Sequence, residues 1–153
     1  MSDHSTSLLF RHPSSKVQRT ELRRFLKDLA QEILPGKGVV CLITSDAEMQ
    51  ELNRKFRGKI YPTDVLSFPP EDIAISFDRA AAQAAELGHT VGDELRILIL
   101  HGLLHLSGMD HDTDKGVMAR AEIRWRRRLS LPSGLIERAK ASGVKASGVK
   151  ASV

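Results

Sequence analysis

The sequence is poor in everything that would place it outside a reducing compartment or inside a membrane. It has one cysteine, Cys41, so no internal disulfide can form. Its apolar neighbours make Cys41 read as a buried thiol. No apolar run approaches the ~20 residues needed to span a bilayer. The first thirty residues lack the apolar core of a secretion signal; Leu8-Leu9-Phe10 is the only apolar cluster before Ser15. These absences point to a cytoplasmic protein without membrane contact. Aromatics make up only 5% of the chain, and acids are absent after Glu137, where Arg138, Lys140, Lys145 and Lys150 lie. The formal charge of +4 therefore belongs to those last residues, and the rest is balanced. A nucleic-acid partner has to be argued from local clusters rather than net charge.

What is present suffices for one domain. At 153 residues and 41% hydrophobic the chain can bury a single core. Apolar periodicity predicts a short strand at 7–11, a helix over 17–34, a buried strand at 39–43, and a helix opened by a Ser45–Glu48 capping box that buries Met49, Leu52 and Phe56. Two short strands, 65–68 and 72–77, flank Pro69-Pro70. An alanine-rich helix follows at 79–87. The next helix starts near Thr90 or Asp93, runs to Ser107 and is apolar nearly all round, the mark of a buried helix. Another occupies about 114–129. The fold class expected is a mixed α/β (α+β) arrangement: a small four-stranded sheet packed with about five helices. Residues 1–131 form the domain, and 132–153, with its KASGV repeats, reads as a basic, low-complexity, disordered tail.

The chemistry concentrates in "HGLLHLSGMDHD", residues 101–112, which holds three of the six histidines. Residues four apart on a helix share a face with Cβ atoms about 5–6 Å apart. His101 and His105 can therefore share one ion at ~2.0–2.1 Å per Zn–N bond. Gly108 lets the chain turn so that His111 returns to the same ion. Three neutral imidazoles leave a fourth tetrahedral position for water, as in catalytic zinc sites. Taken singly, a histidine on such a helix is usually a satisfied core residue; the triple spacing argues for a metal, with nickel and copper as alternatives to zinc. The spacing matches the long zinc-protease motif except that Gly102 stands where the general-base glutamate belongs. Asp110 and Asp112 are candidates to orient the imidazole N–H groups, or to cap the next helix.

A second cluster, "NRKFRGK" (53–59), puts four cations in the six positions from Arg54 to Lys59 and is followed by "PTDVLSF" (62–68). Together, "LNRKFRGKIYPTDVLSF" (52–68) and "HGLLHLSGMDH" (101–111) resemble the YbeY family of bacterial rRNA-maturation endoribonucleases, over roughly residues 17–130. The resemblance implies a zinc-protease-like core and one zinc per chain on His101, His105 and His111. It implies Arg57 as the catalytic or substrate-binding arginine. It further implies a single-strand-specific endoribonuclease acting in 16S rRNA 3′-end maturation and ribosome quality control, with single-stranded rRNA and the ribosome or its small subunit as partners. Beside Arg57, Arg54 and Lys59 are candidates to neutralise phosphate charge. Thr63 and Ser67 are candidates to offer hydroxyls to the substrate from a strand edge. The segment at 69–72 is shorter than in the family, and Glu71 fills a glycine slot, so one groove wall is expected to be trimmed. Two other readings are a zinc metallopeptidase-like hydrolase, opposed by Gly102, and a non-catalytic ribosome-associated module whose zinc is closed by a fourth protein ligand. In the basic helix from Arg120 to Arg128, Arg124, Arg126, Arg127 and Arg128 read as a solvated helix face or as a contact with rRNA or a ribosomal protein.

Overall fold

The computed structural model describes residues 5–13, 17–59, 63–142 and 149–150. The chain runs β1 (Ser7–Phe10), α1 (Arg19–Ile33), β2 (Val40–Thr44), α2 (Asp46–Arg57), β3 (Val65–Phe68), β4 (Asp72–Ser76), α3 (Phe77–Leu87), α4 (Val91–Leu106), α5 (Val117–Arg128), α6 (Leu135–Ser142) and β5 (Val149–Lys150). The expected mixed sheet is there, in the order β1-β2-β4-β3-β5. β1, β2 and β4 are parallel, with Cys41 opposite Leu8 on one side and Ile73 on the other. β3 returns antiparallel to β4, as a tight hairpin over the Pro69-Pro70 pair requires. The two-residue β5 adds to the free edge of β3, parallel to it.

Side-chain alternation splits the two faces of the sheet. Cys41, Ile43, Val65, Ile73 and Ile75 join the main core with residues of α1, α3, α4, α5 and α6. Leu66 and Ala74 face the other way and meet Met49 of α2, with Leu52 and Phe68 at the margin. Cys41 is fully buried in the main core, and burial pushes its thiol far above the ordinary range.

Helix α4 is the axis of the molecule. Thr90 caps it by accepting from the Asp93 amide at 3.0 Å. From Glu94 to Leu106 every residue except Arg96 is buried. Each leucine or isoleucine so enclosed contributes on the order of 1.5–3 kcal/mol. The wall-to-wall burial of α4 is what makes it a rigid mount for polar side chains.

Three expectations need correction. The chain past residue 131 is not a structureless tail throughout: Leu135–Ser142 is helical, and Leu135 and Ile136 are buried in the core. Its composition hides this, because two apolar side chains suffice when polar anchors hold the rest. The residues of the KASGV repeats at 143–148 and 151–153 lie outside the described residues. Half of the capping box forms: Ser45 accepts from the Glu48 amide at 3.2 Å, but the Glu48 carboxylate turns to Thr44 and Arg11 instead of reaching back. Phe56, expected in the core, is 36% exposed, because α2 covers its sheet face only partly.

Candidate metal centre

His101 and His105 project from the last turns of α4, one turn apart, with ring centroids 4.9 Å from each other. The helix ends where Gly108 takes φ +105°, a left-handed value that a side chain would oppose. Gly108 and Met109 donate back to the carbonyls of His105 and Leu104, at 3.0 and 3.2 Å. That turn carries His111 round until its ring lies 5.1 Å from both others. One nitrogen from each of the three histidines lies within 4.8 Å of the other two. The structure thus brings His101, His105 and His111 together.

Hydrogen bonds set the orientation of two rings. His105 Nδ1 lies 3.0 Å from the Met109 carbonyl, an oxygen that can only accept, so Nδ1 carries the proton and Nε2 the lone pair. His101 Nδ1 lies 2.8 Å from Glu122 Oε2 on α5. Nε2 of His105 and both ring nitrogens of His111 are buried without a hydrogen-bond partner. Leaving three such atoms dry is costly unless something binds them. Burial, helped by the rings of His101 and His111, pulls the pKa of His105 down to about 3. Burial and His101 also lower that of His111. The rings of His105 and His111 are thus held neutral, the form that binds a cation. This donor set fits zinc: imidazole nitrogens only, with no further His, Cys, Asp or Glu grouped with them among the described residues.

Asp110 serves the turn itself, and Asp112 stands off from the rings. Asp110 Oδ1 accepts from the Asp112 amide at 3.1 Å, and the Asp110 carbonyl accepts from Thr113 and Asp114, so Asp110 shapes the turn. Asp112 Oδ1 stands 3.8 Å from His111 Nε2, beyond hydrogen-bond reach. The carboxylate that orients a histidine is Glu122, 21 residues after His101. It was legible only as an acid at a core position of the helix that also buries Met118 and Ala121.

Gly102 explains the missing glutamate. A Cβ there would lie 3.0 to 3.3 Å from three atoms of Ile73 on β4. The position faces the sheet, where helix and strand nearly touch. Gly102→Glu should lose about 3 kcal/mol or more of stability, from overpacking and a buried charge; a urea midpoint equal to wild type would disprove this packing account.

The basic cluster sits at the end of α2. Arg57 is half-buried, and its Nη1 donates to Asn53 Oδ1 at 3.0 Å. Arg54 is exposed and engaged in an ion pair with Glu51. Lys59 is exposed just past the Gly58 cap. Thr63 is buried, with its hydroxyl 3.5 Å from Asp64 Oδ1. Ser67 is buried, and its hydroxyl donates to the Gly102 carbonyl at 3.2 Å. That hydroxyl therefore clamps β3 to α4 rather than facing a substrate.

Comparison with known proteins agrees with this geometry. The family profile described as Endoribonuclease YbeY matches residues 10–129. The chain is 50% identical over 142 residues to Endoribonuclease YbeY of Solibacter usitatus, covering 90% of this chain and 97% of that protein. It is 53% identical over 118 residues to the protein of the same name from Koribacter versatilis, covering 73% of this chain and 78% of that one. Among solved structures it is similar to the solution structure of TM1509 from Thermotoga maritima, at 28% identity and a TM-score of 0.55, over 78% of this chain and 86% of the other.

Proposed function

Because the chain belongs to the YbeY family of endoribonucleases, we propose that it cleaves single-stranded RNA at a zinc ion held by His101, His105 and His111, and that it acts in maturation of the 16S rRNA 3′ end and in ribosome quality control. The observation that carries this reading is the convergence of one ring nitrogen from each of His101, His105 and His111, with His105 Nε2 and both nitrogens of His111 buried and without a hydrogen-bond partner. A zinc ion bound there supplies Lewis-acid polarisation and a water of lowered pKa.

The chain supplies the rest. Arg57 offers a planar fork that matches phosphate oxygens and neutralises charge building on phosphorus. Lys59, exposed beside it, adds attraction for the RNA backbone. Gly102 has no proton to give or take, and a Cβ there would already press on the Ile73 side chain at 3.0 Å. A phosphodiester can meet that lack with its own non-bridging oxygens, whereas a peptide bond cannot. This difference favours a nuclease over the peptidase reading, and a histidine trio with no further His, Cys, Asp or Glu grouped with it among the described residues speaks against a purely structural zinc.

On α5, Arg120, Arg124 and Arg127 are exposed at spacings of four and three, so they share a face. Arg126 and Arg128 are instead paired with Glu137 and Glu32. The first three form the face we assign to contact with rRNA in the small subunit. Among the described residues no helix is long and apolar enough to cross a membrane, which accords with work in the cytoplasm.

Metal analysis of the purified protein, paired with cleavage assays, tests the proposal. Single-stranded RNA should be cut and duplex RNA spared. A chelator should abolish cutting and added zinc restore it. Cleavage that survives complete metal removal would overturn the reading, as would chelator-sensitive cleavage of peptides with none of RNA.

A further inference from the structure

We propose that Glu122 is a positioning residue that ties the metal centre to α6, so that a segment beyond the family-matched stretch completes the site. This rests on the reading of the three histidines as ligands. Glu122 is 1% exposed and has each oxygen within hydrogen-bond distance of a nitrogen. Oε2 faces His101 Nδ1 at 2.8 Å, and Oε1 accepts the backbone N–H of Ile136 at 2.9 Å. Ile136 lies in the first turn of α6, and the family match ends at residue 129.

Nothing about this junction is loose. Gly134 leaves the space that the carboxylate fills: a Cβ there would stand 2.4 Å from Oε1 and 2.6 Å from the carboxyl carbon. Arg126 grips Glu137 with two bonds of 2.7 and 2.9 Å. Arg138 grips Glu94, itself wholly buried on α4, with two bonds of 2.8 and 3.0 Å. The two residues after Ile136 thus pin the helix, Glu137 to α5 and Arg138 to α4.

The choice of residue type follows from counting donors. A carboxylate accepts at both oxygens, so it can receive His101 Nδ1–H and Ile136 N–H together. That fixes the His101 proton on Nδ1 and leaves Nε2 with the lone pair a metal requires. Glutamine has the same shape but only one accepting end. If its oxygen keeps Ile136, its NH₂ faces His101 and drives the ring proton to Nε2. If its oxygen keeps His101, two donors collide at Ile136. Glu122→Gln therefore sets the ligand against the helix.

The experiment compares wild type, Glu122→Gln and Gly134→Ala, each checked for folding by circular dichroism. In metal-free protein, nitrogen-15 spectra of the histidines should show His101 protonated on Nδ1 in wild type. The proton should move or exchange between nitrogens in Glu122→Gln. Zinc affinity, measured by chelator competition, should fall about 10- to 100-fold in Glu122→Gln. Gly134→Ala touches no ligand, yet it should weaken zinc in the same direction, because the new methyl displaces the carboxylate. It also serves if Glu122→Gln fails to fold. A wild-type ring protonated on Nε2 would overturn the proposal. So would wild-type spectra and zinc affinity in both variants. Spectra that shift as expected in a protein that binds no zinc would leave the positioning role standing and sink the zinc reading.

Discussion

Replacing Arg57 with alanine should leave zinc in place and lower kcat/KM on single-stranded RNA about 100- to 1000-fold, the loss seen when one preorganised donor to a developing charge is removed. That corresponds to roughly 3–4 kcal/mol of transition-state stabilisation. The loss should fall mainly on kcat, since the fork matters most when charge gathers on phosphorus. Folding should barely change. Arg57 lies in the last turn of α2 and bonds to Asn53 at 3.0 Å, in a half-buried setting where such a bond contributes about 1 kcal/mol. Arg57→Lys should recover little, because an ammonium is a point charge without the fork. An Arg57→Ala protein that cleaves like wild type would remove the arginine from the chemistry while leaving the metal centre intact.

Replacing His105 with alanine should have the complementary effect: no zinc, and no cleavage above background. It removes one of the three converging histidines, and one of the two mounted on α4. Zinc at 1,000 times its dissociation constant should stabilise wild type by about 4 kcal/mol, and the variant by nothing measurable. The metal-free variant should itself lose only about 1–3 kcal/mol. A lost ring and a Met109 carbonyl without its donor count against it, while removing the partnerless Nε2 counts in its favour. Thermal unfolding with and without zinc reads both numbers. A full zinc-induced shift in His105→Ala would mean the ion binds elsewhere.

The parts legible from the sequence were those governed by local periodicity. The apolar run from Leu95 to Leu106 announced a buried helix, and the four-residue step from His101 to His105 put two rings on one face. Gly108 announced the turn, and its φ of +105° shows why glycine stands there. What stayed hidden depends on contacts between distant segments. Glu122 reaches His101 across 21 positions, and no spacing rule links an acid on one helix to an imidazole on another. Asp110 and Asp112 were nearer in sequence and therefore more tempting, yet the turn consumes Asp110 in its own backbone bonds. Ser67 looked like a hydroxyl on an open edge because the sequence does not show that β3 lies against α4 at Gly102. α6 was obscured by composition: Leu135 and Ile136 are too few to mark a core helix until Glu94, Glu122 and Arg126 appear around it.

The solitary thiol on β2 has a practical use. Cys41 sits between β1 and β4 at full burial, in a setting that suppresses its thiolate. An alkylating reagent can reach it only when the sheet parts from its helical layer. Slow covalent tagging of the native protein is thus a clock for whole-molecule opening, with no dye, tag or engineered residue required.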